Sequence, residues 1–124
     1  MYVLDELFIP LAETFKPEII AVSAGLDMHY SDLLGSIKFT TQTYAKITTR
    51  LMDVAERICG GRIVMLLEGG YNLEAVPRAI ATIISTLAEL GDDEVIKYSE
   101  YKDRSFQSQV LQIKNTLSDY WNIF

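Results

Sequence analysis

Apolar and polar positions in the N-terminal part of the chain predict a helix followed by a buried strand. Apolar residues recur there at steps of three and four, which is typical of a helix with one buried face. We expect this helix to span 2–15 and to end before Pro17. The continuous apolar run 19–23 (IIAVS) is rich in β-branched residues, so it predicts a strand that is buried on both faces.

A second helix and a second strand follow a long polar loop at 24–39. Thr40 or Thr41 can cap the helix, and Gly60–Gly61 should end it. Its apolar face recurs at steps of three and four, which gives the stripe Tyr44, Ile47, Leu51, Val54 and Ile58. The run 63–67 (IVMLL) predicts the second strand.

The C-terminal third is predicted to be largely helical. A helix should run from about 73 to 90, with a stop at Gly91. The segment 95–101 is ambiguous between helix and strand, and an amphipathic terminal helix is expected at about 104–124. We predict one partial domain over residues 1–124.

The order strand, helix, strand, helix predicts an α/β fold in which two parallel strands are joined by a right-handed crossover. Parallel sheets are usually wider than two strands and covered by helices on both faces. Two strands alone would leave unpaired backbone groups at both edges. The chain is therefore expected to be a portion of a larger α/β domain, or part of an assembly that supplies further strands.

Composition and charge narrow the range of partners. The chain has 124 residues, and its 11 Lys and Arg against 17 Asp and Glu give a net charge of −6. This sign disfavours nucleic acid and anionic membranes as partners. The single cysteine, Cys59, cannot form an internal disulfide, and the acidic first residues do not resemble a signal peptide. We expect a cytoplasmic protein.

Candidate chemistry lies in the two loops that leave the strands, because ligands of open parallel sheets bind beyond the carboxyl ends of the strands. Asp27 and His29 are two residues apart and could hold a divalent metal, although a loop Asp also commonly stabilises a turn. Tyr71 follows two glycines and could donate a hydrogen bond to an oxyanion, or could pack beside its loop. Asp32 and Glu68 are the other polar candidates.

Two segments together resemble the zinc-dependent histone deacetylase family, which also includes acetylpolyamine amidohydrolases and acetoin-utilisation proteins. They are PEIIAVSAGLDMHYSDLLG at 17–35 and IVMLLEGGYNLEA at 63–75, and the similarity extends over about 8–90. The Glu before Gly-Gly-Tyr is more similar to the class II and prokaryotic branch. The resemblance implies the C-terminal portion of a parallel-sheet, three-layer, arginase/deacetylase-like domain.

The resemblance also implies roles for individual residues. Asp27 matches a zinc ligand, and Tyr71 matches the tyrosine that donates a hydrogen bond to the substrate carbonyl and then to the tetrahedral oxyanion. The remaining matches are substrate-binding positions (Leu34, Gly69 and Gly70) and structural loop positions (His29 and Asp32). Leu33 departs from a proline that is common in the family at this point.

The family's other functional residues have no counterpart in this sequence. An Asp-x-His motif supplies two more zinc ligands and a His–His pair supplies the general base, whereas this chain contains one histidine. The resemblance therefore implies a fragment of an enzyme that removes acetyl groups from acetyl-lysine or acetylated amines, inactive alone. The isolated fragment should self-associate through bare apolar surface.

Two other hypotheses also fit the sequence. The chain could be a non-catalytic binding or oligomerisation module that derives from the deacetylase fold. Alternatively, Asp27 and His29 could bind metal by pairing across a dimer.

Overall fold

The computed structural model describes residues 1–90 and 106–122, which fall into two compact units. One unit contains Met1–Pro17 and the described residues of Tyr98–Phe124. The other contains the described residues of Glu18–Lys97. The ambiguous segment 95–101 lies outside the described residues.

Two helical segments make up the first unit. A π-helical turn, Leu4–Phe8, continues directly into α1, Ile9–Phe15. Pro10 has no N–H to donate to the Glu6 carbonyl, so an α-helical ladder would be interrupted at the point where the wider turn gives way to α1. The C-terminal helix of the structure, which is the fourth α-helix in chain order, spans Gln107–Leu117 and lies within the predicted segment 104–124.

The second unit is built on two parallel strands, as the sequence predicts. Strand β1, Ile20–Ala24, pairs in parallel with β2, Ile63–Leu67. β2 has the predicted bounds, and β1 begins and ends one residue later than predicted. This unit therefore confirms the strand–helix–strand–helix order and the α/β class.

Helix α2, Thr41–Cys59, connects the two strands, and α3, Ala75–Leu87, follows β2. Thr40 is the N-cap residue of α2, and Gly60 ends the helix in the left-handed conformation with φ 60°. α3 is shorter at both ends than the predicted 73–90. α2 and α3 pack against each other, and their core includes Leu26, Tyr44, Ala79 and Ile83.

The helices of this unit cover one face of the sheet. Met65 of β2 packs against the core, whereas its neighbours Val64 and Leu66 are 40% and 55% exposed. Successive residues of a strand point to opposite faces, so the face that carries Val64 and Leu66 is not covered by the described helices of this unit. Within the described residues, the prediction that both faces are buried is wrong, because the described helices of this unit cover one face.

Within residues 1–90 and 106–122, no helix has the length and apolar character needed to cross a membrane.

Candidate functional site

Hydrogen bonds bring together the two loops that leave the strands. The Glu68 N–H donates to the Ala24 carbonyl at 3.2 Å, and the Leu26 N–H donates to the Gly69 carbonyl at 2.8 Å. These bonds continue the pairing of β1 and β2 beyond the last strand residues. The loop with Asp27 and the loop with Tyr71 therefore leave the same end of the sheet side by side.

Asp27 lies in a single 3₁₀ turn, Leu26–Met28, and its carboxylate lies against two glycines. A Cβ on Gly69 would be 2.9 Å from the Asp27 Cγ, and one on Gly25 would be 2.9 Å from its Oδ1. A larger residue at either position would push the carboxylate away. The glycines therefore allow the side chain of one loop to reach the backbone of the other.

Gly70 is required by its own conformation and by close packing. Its φ is +135°, which side-chain-bearing residues rarely adopt, and an added Cβ would lie 2.7 Å from Val76 Cγ2 and 3.0 Å from Leu26 Cβ. The Gly69–Gly70 pair thus lets this loop pass between the Asp27 loop and α3. The role of the two glycines as a substrate-tunnel lining remains a prediction.

Asp32 joins the two loops through backbone N–H groups. Its Oδ2 accepts hydrogen bonds from the N–H of Tyr71 at 2.8 Å and of Asn72 at 3.1 Å, and its Oδ1 accepts one from the Leu34 N–H at 2.9 Å. The side chain is buried. The bonds from Tyr71 and Leu34 stabilise the charged form and lower the pKa of Asp32 despite the opposing effect of burial.

Asn72 is a loop-joining residue that the sequence analysis missed. Its Nδ2 donates to the Ser31 carbonyl at 2.8 Å, and its Oδ1 accepts from the N–H groups of Glu74 and Ala75 at 3.0 and 2.9 Å. Asn often caps a helix start or forms a turn in this way, so its position just before α3 was a usable signal. The bond to Ser31 could not be inferred from the sequence pattern.

His29 is buried, and both of its ring nitrogens have protein neighbours. Its Nδ1 lies 2.8 Å from Ser31 Oγ, and its Nε2 lies 3.5 Å from Thr41 Oγ1. The backbone on either side pairs with Phe39, which accepts from the Tyr30 N–H and donates to the Met28 carbonyl, each at 2.8 Å. These contacts give His29 a place inside its loop and do not favour a metal shared across a dimer.

Tyr44 of α2 forms a hydrogen bond to the loop that carries Asp27. Its hydroxyl donates to the Leu26 carbonyl at 3.1 Å, next to Asp27. Burial, followed by the negative charges of Asp27 and Asp32, raises the pKa of Tyr44 to about 12. The sequence analysis placed Tyr44 in the apolar stripe of its helix and missed this hydrogen bond. The spacing of apolar residues does not show which group a tyrosine hydroxyl will contact.

Glu68, the remaining polar candidate, accepts a hydrogen bond from Ser23 Oγ at 3.1 Å. This contact links the ends of β1 and β2.

Tyr71 lies in an open cleft of about 450 Å³ beside Leu34. The Tyr71 side chain is 60% exposed and the Leu34 side chain 72% exposed. The cleft is lined by Leu33, Leu34, Tyr71, Asn72, Leu73 and Glu74. The structure therefore brings a predicted oxyanion donor and a predicted apolar substrate contact into one cleft.

The described part of the chain does not by itself form a zinc site. Within residues 1–90 and 106–122, no three His, Cys, Asp or Glu side chains lie close enough together to hold a metal ion. A hydrolytic zinc site uses three protein ligands and a water. Asp27 could supply one of these three ligands. The described residues offer no two further ligands beside it, so their zinc-ligand set is incomplete.

Comparisons with known proteins identify the family of this chain. Residues 1–87 match the family model described as the histone deacetylase domain. Histone deacetylase 14, chloroplastic, of Arabidopsis thaliana is 44% identical over 93 residues, which are 75% of this chain and 22% of the relative. A probable deacetylase of Archaeoglobus fulgidus is 34% identical over an alignment of 136 residues that includes gaps. This alignment covers 100% of this chain and 38% of the relative.

Solved structures show the same fold. The crystal structure of the HDA15 HD domain superimposes with a TM-score of 0.80 at 26% identity, covering 98% of this chain and 31% of that one. The chain thus spans between about a fifth and two fifths of the length of these relatives. The α/β architecture is that of deacetylase domains, and the chain belongs to the histone deacetylase family.

Proposed function

We propose that this chain forms the C-terminal part of a deacetylase domain that hydrolyses the amide of acetyl-lysine or of another acetylated amine. The observation that carries the proposal is the approach of the Asp27 carboxylate to Gly69, where an added Cβ would lie 2.9 Å from Asp27 Cγ. Tyr71 follows Gly69 by two residues. A potential metal ligand and a potential oxyanion donor therefore belong to two loops in direct contact.

In the proposed domain, Asp27 supplies one zinc ligand and residues outside this chain supply the others. A bound zinc ion would polarise the acetamide carbonyl and activate a water molecule. The chain alone would hold zinc weakly, since the described residues contain no cluster of three ligands. It would then lack deacetylase activity without the rest of the domain.

Tyr71 is proposed to be the catalytic residue that this chain supplies. Its hydroxyl would donate a hydrogen bond to the substrate carbonyl oxygen and would strengthen that bond as negative charge develops on the oxygen. Leu34, in the same cleft, would contact the apolar part of the substrate. Acetate and a free amine would be the products.

The substitution Tyr71→Phe in the complete deacetylase tests this role. We expect kcat to fall by about 100- to 1000-fold, as loss of one oxyanion donor commonly causes. The measurement is steady-state hydrolysis of an acetylated lysine peptide and of an acetylated polyamine. Tyr120→Phe is the matched control, because Tyr120 is 81% exposed and belongs to the other unit.

A near-normal kcat for Tyr71→Phe would reject the catalytic role of the phenol. Zinc content and activity of the 124-residue chain, compared with those of the complete deacetylase, test the ligand assignment separately. Stoichiometric tight zinc in the chain alone would contradict the incomplete ligand set.

A further inference from the structure

The carboxylate of Asp32 connects two loops: the loop 68–74, termed the catalytic loop because it carries Tyr71, and the loop 24–39, which carries Asp27 and Asp32 itself. We propose that Asp32 is a positioning residue for Tyr71, and that it fixes the phenol by holding the backbone N–H groups of Tyr71 and Asn72. This inference rests on the proposed function of Tyr71. It assigns Asp32 a role in turnover beyond the stability of its own loop.

The contacts of Asp32 are directional and shielded from water. One carboxylate oxygen accepts the Tyr71 and Asn72 N–H groups at 2.8 and 3.1 Å, and the residue is 5% exposed. Hydrogen bonds to a charged acceptor are about twice as strong as neutral ones. The lowered pKa of Asp32 agrees with a carboxylate that stays charged in this position.

The catalytic loop needs such an anchor. Gly69 and Gly70 precede Tyr71, and glycine backbones are conformationally permissive. The Tyr71 side chain is 60% exposed, so packing restrains it little. The position of the phenol therefore depends on where its backbone is held.

Asp32 also contacts the backbone of a second residue that lines the cleft. Its other oxygen accepts the Leu34 N–H at 2.9 Å, and Leu34 and Tyr71 line the same cleft. One carboxylate thus sets the spacing between a substrate contact and the proposed oxyanion donor. A small displacement of such a group can cost about 100-fold in rate.

The contact itself is tested in the 124-residue chain by NMR. In the unsubstituted chain we expect a scalar coupling across the hydrogen bond between the Tyr71 amide nitrogen and the Asp32 Cγ. In Asp32→Asn, hydrogen exchange of the Tyr71 and Asn72 amides should rise by about tenfold or more, while the strand amides keep their protection. Asp53→Asn, an exposed site on α2, is the matched control.

The role in turnover is tested by a double-mutant cycle in the complete deacetylase. Asp32→Asn should lower kcat by about 10- to 100-fold and leave KM within about twofold. In a Tyr71→Phe background, the same change should lower kcat by less than about twofold, since a residue that acts through the phenol has little left to affect. A purely structural residue would instead lower kcat by the same factor in both backgrounds.

Each result supports or overturns the inference. Absence of the coupling and unchanged exchange at Tyr71 and Asn72 would overturn it, as would equal losses of kcat in both backgrounds. If Asp32→Asn does not fold, the coupling in the unsubstituted chain decides the contact. If Tyr71→Phe alone keeps full activity, the proposed function fails and the positioning role fails with it, whereas loss of the Asp32 effect alone leaves the proposed function intact.

Discussion

Three side chains, Asp32, Asn72 and Tyr44, hold the candidate site by bonding to backbone groups of other segments. Asp32 reaches Tyr71, Asn72 reaches the Ser31 carbonyl, and Tyr44 reaches the Leu26 carbonyl. Each of these bonds satisfies a backbone group that a loop would otherwise leave to water. The shape of the site therefore depends on directional polar contacts as well as on apolar packing.

The charge of Asp32 should make this arrangement sensitive to acid. The folded state lowers its pKa from the ordinary value of 3.8, so the stabilisation is fully present above that value and is lost as pH falls through the lower folded value. We expect the Tyr71 and Asn72 amide resonances to shift together in that acidic range. Two-dimensional NMR across an acid titration measures this, and Asp32→Asn should abolish the shared shift. Independent titration of the two amides would contradict it.

At the residue scale, the sequence indicates candidate residues but not the contacts that support them. The order and spacing of their motifs make Asp27 and Tyr71 candidates, and their roles stay predictions. Asn72 and Tyr44 were missed in their supporting roles, since each bonds to a carbonyl many residues away in the sequence. A sequence pattern carries the type of a polar group but not its distant partner.

Helix α2 lies between the two loops of the site along the sequence. A local contact stabilises its first turn. The Thr40 N–H donates to Thr43 Oγ1 at 3.2 Å, and the two hydroxyl oxygens lie 3.1 Å apart. Such a capping box satisfies backbone groups that have no partner within the helix. The end of the 24–39 loop is thereby tied to the start of α2.

Removing this cap should destabilise the second unit. We expect Thr40→Ala to lower the free energy of unfolding by about 1 kcal/mol, since the side-chain oxygen at the N-cap is lost. Urea denaturation followed by far-UV circular dichroism measures the change. Thr40→Ser, which keeps the hydroxyl, should lie close to the unsubstituted chain. Equal losses in both variants would show that the methyl group, not the cap, is responsible.

The sequence predicts which segments form helices and strands better than it predicts what packs against them. β2 has its predicted bounds because glycines precede and follow the apolar run. The π-helical turn before α1 was not predicted, since the spacing of apolar residues at steps of three and four does not distinguish it from an α-helix. Bare apolar surface was predicted, but not its position at Val64 and Leu66, because an apolar run does not show which of its residues other segments cover.

At the scale of the whole molecule, the bare sheet face should cause the isolated chain to self-associate. Within residues 1–90 and 106–122 the sheet has two strands, so each strand has one edge without a partner there. Such edges promote association, as do exposed apolar residues such as Val64 and Leu66 of β2. We expect sedimentation velocity to show concentration-dependent oligomers. Leu66→Lys should weaken association, whereas Leu111→Lys, at an exposed position of the C-terminal helix, should change it less. A stable monomer at high concentration would contradict this prediction.

The parallel register of the strands also affects how the protein is made. Ile20 pairs with Ile63, so β1 leaves the ribosome well before its partner exists. At about 5–20 residues per second, the roughly forty intervening residues leave β1 without β2 for about 2–9 s. During translation, this apolar segment would be available to chaperones. The catalytic loop with Tyr71 follows β2 in the sequence, so it would join the site only after this delay.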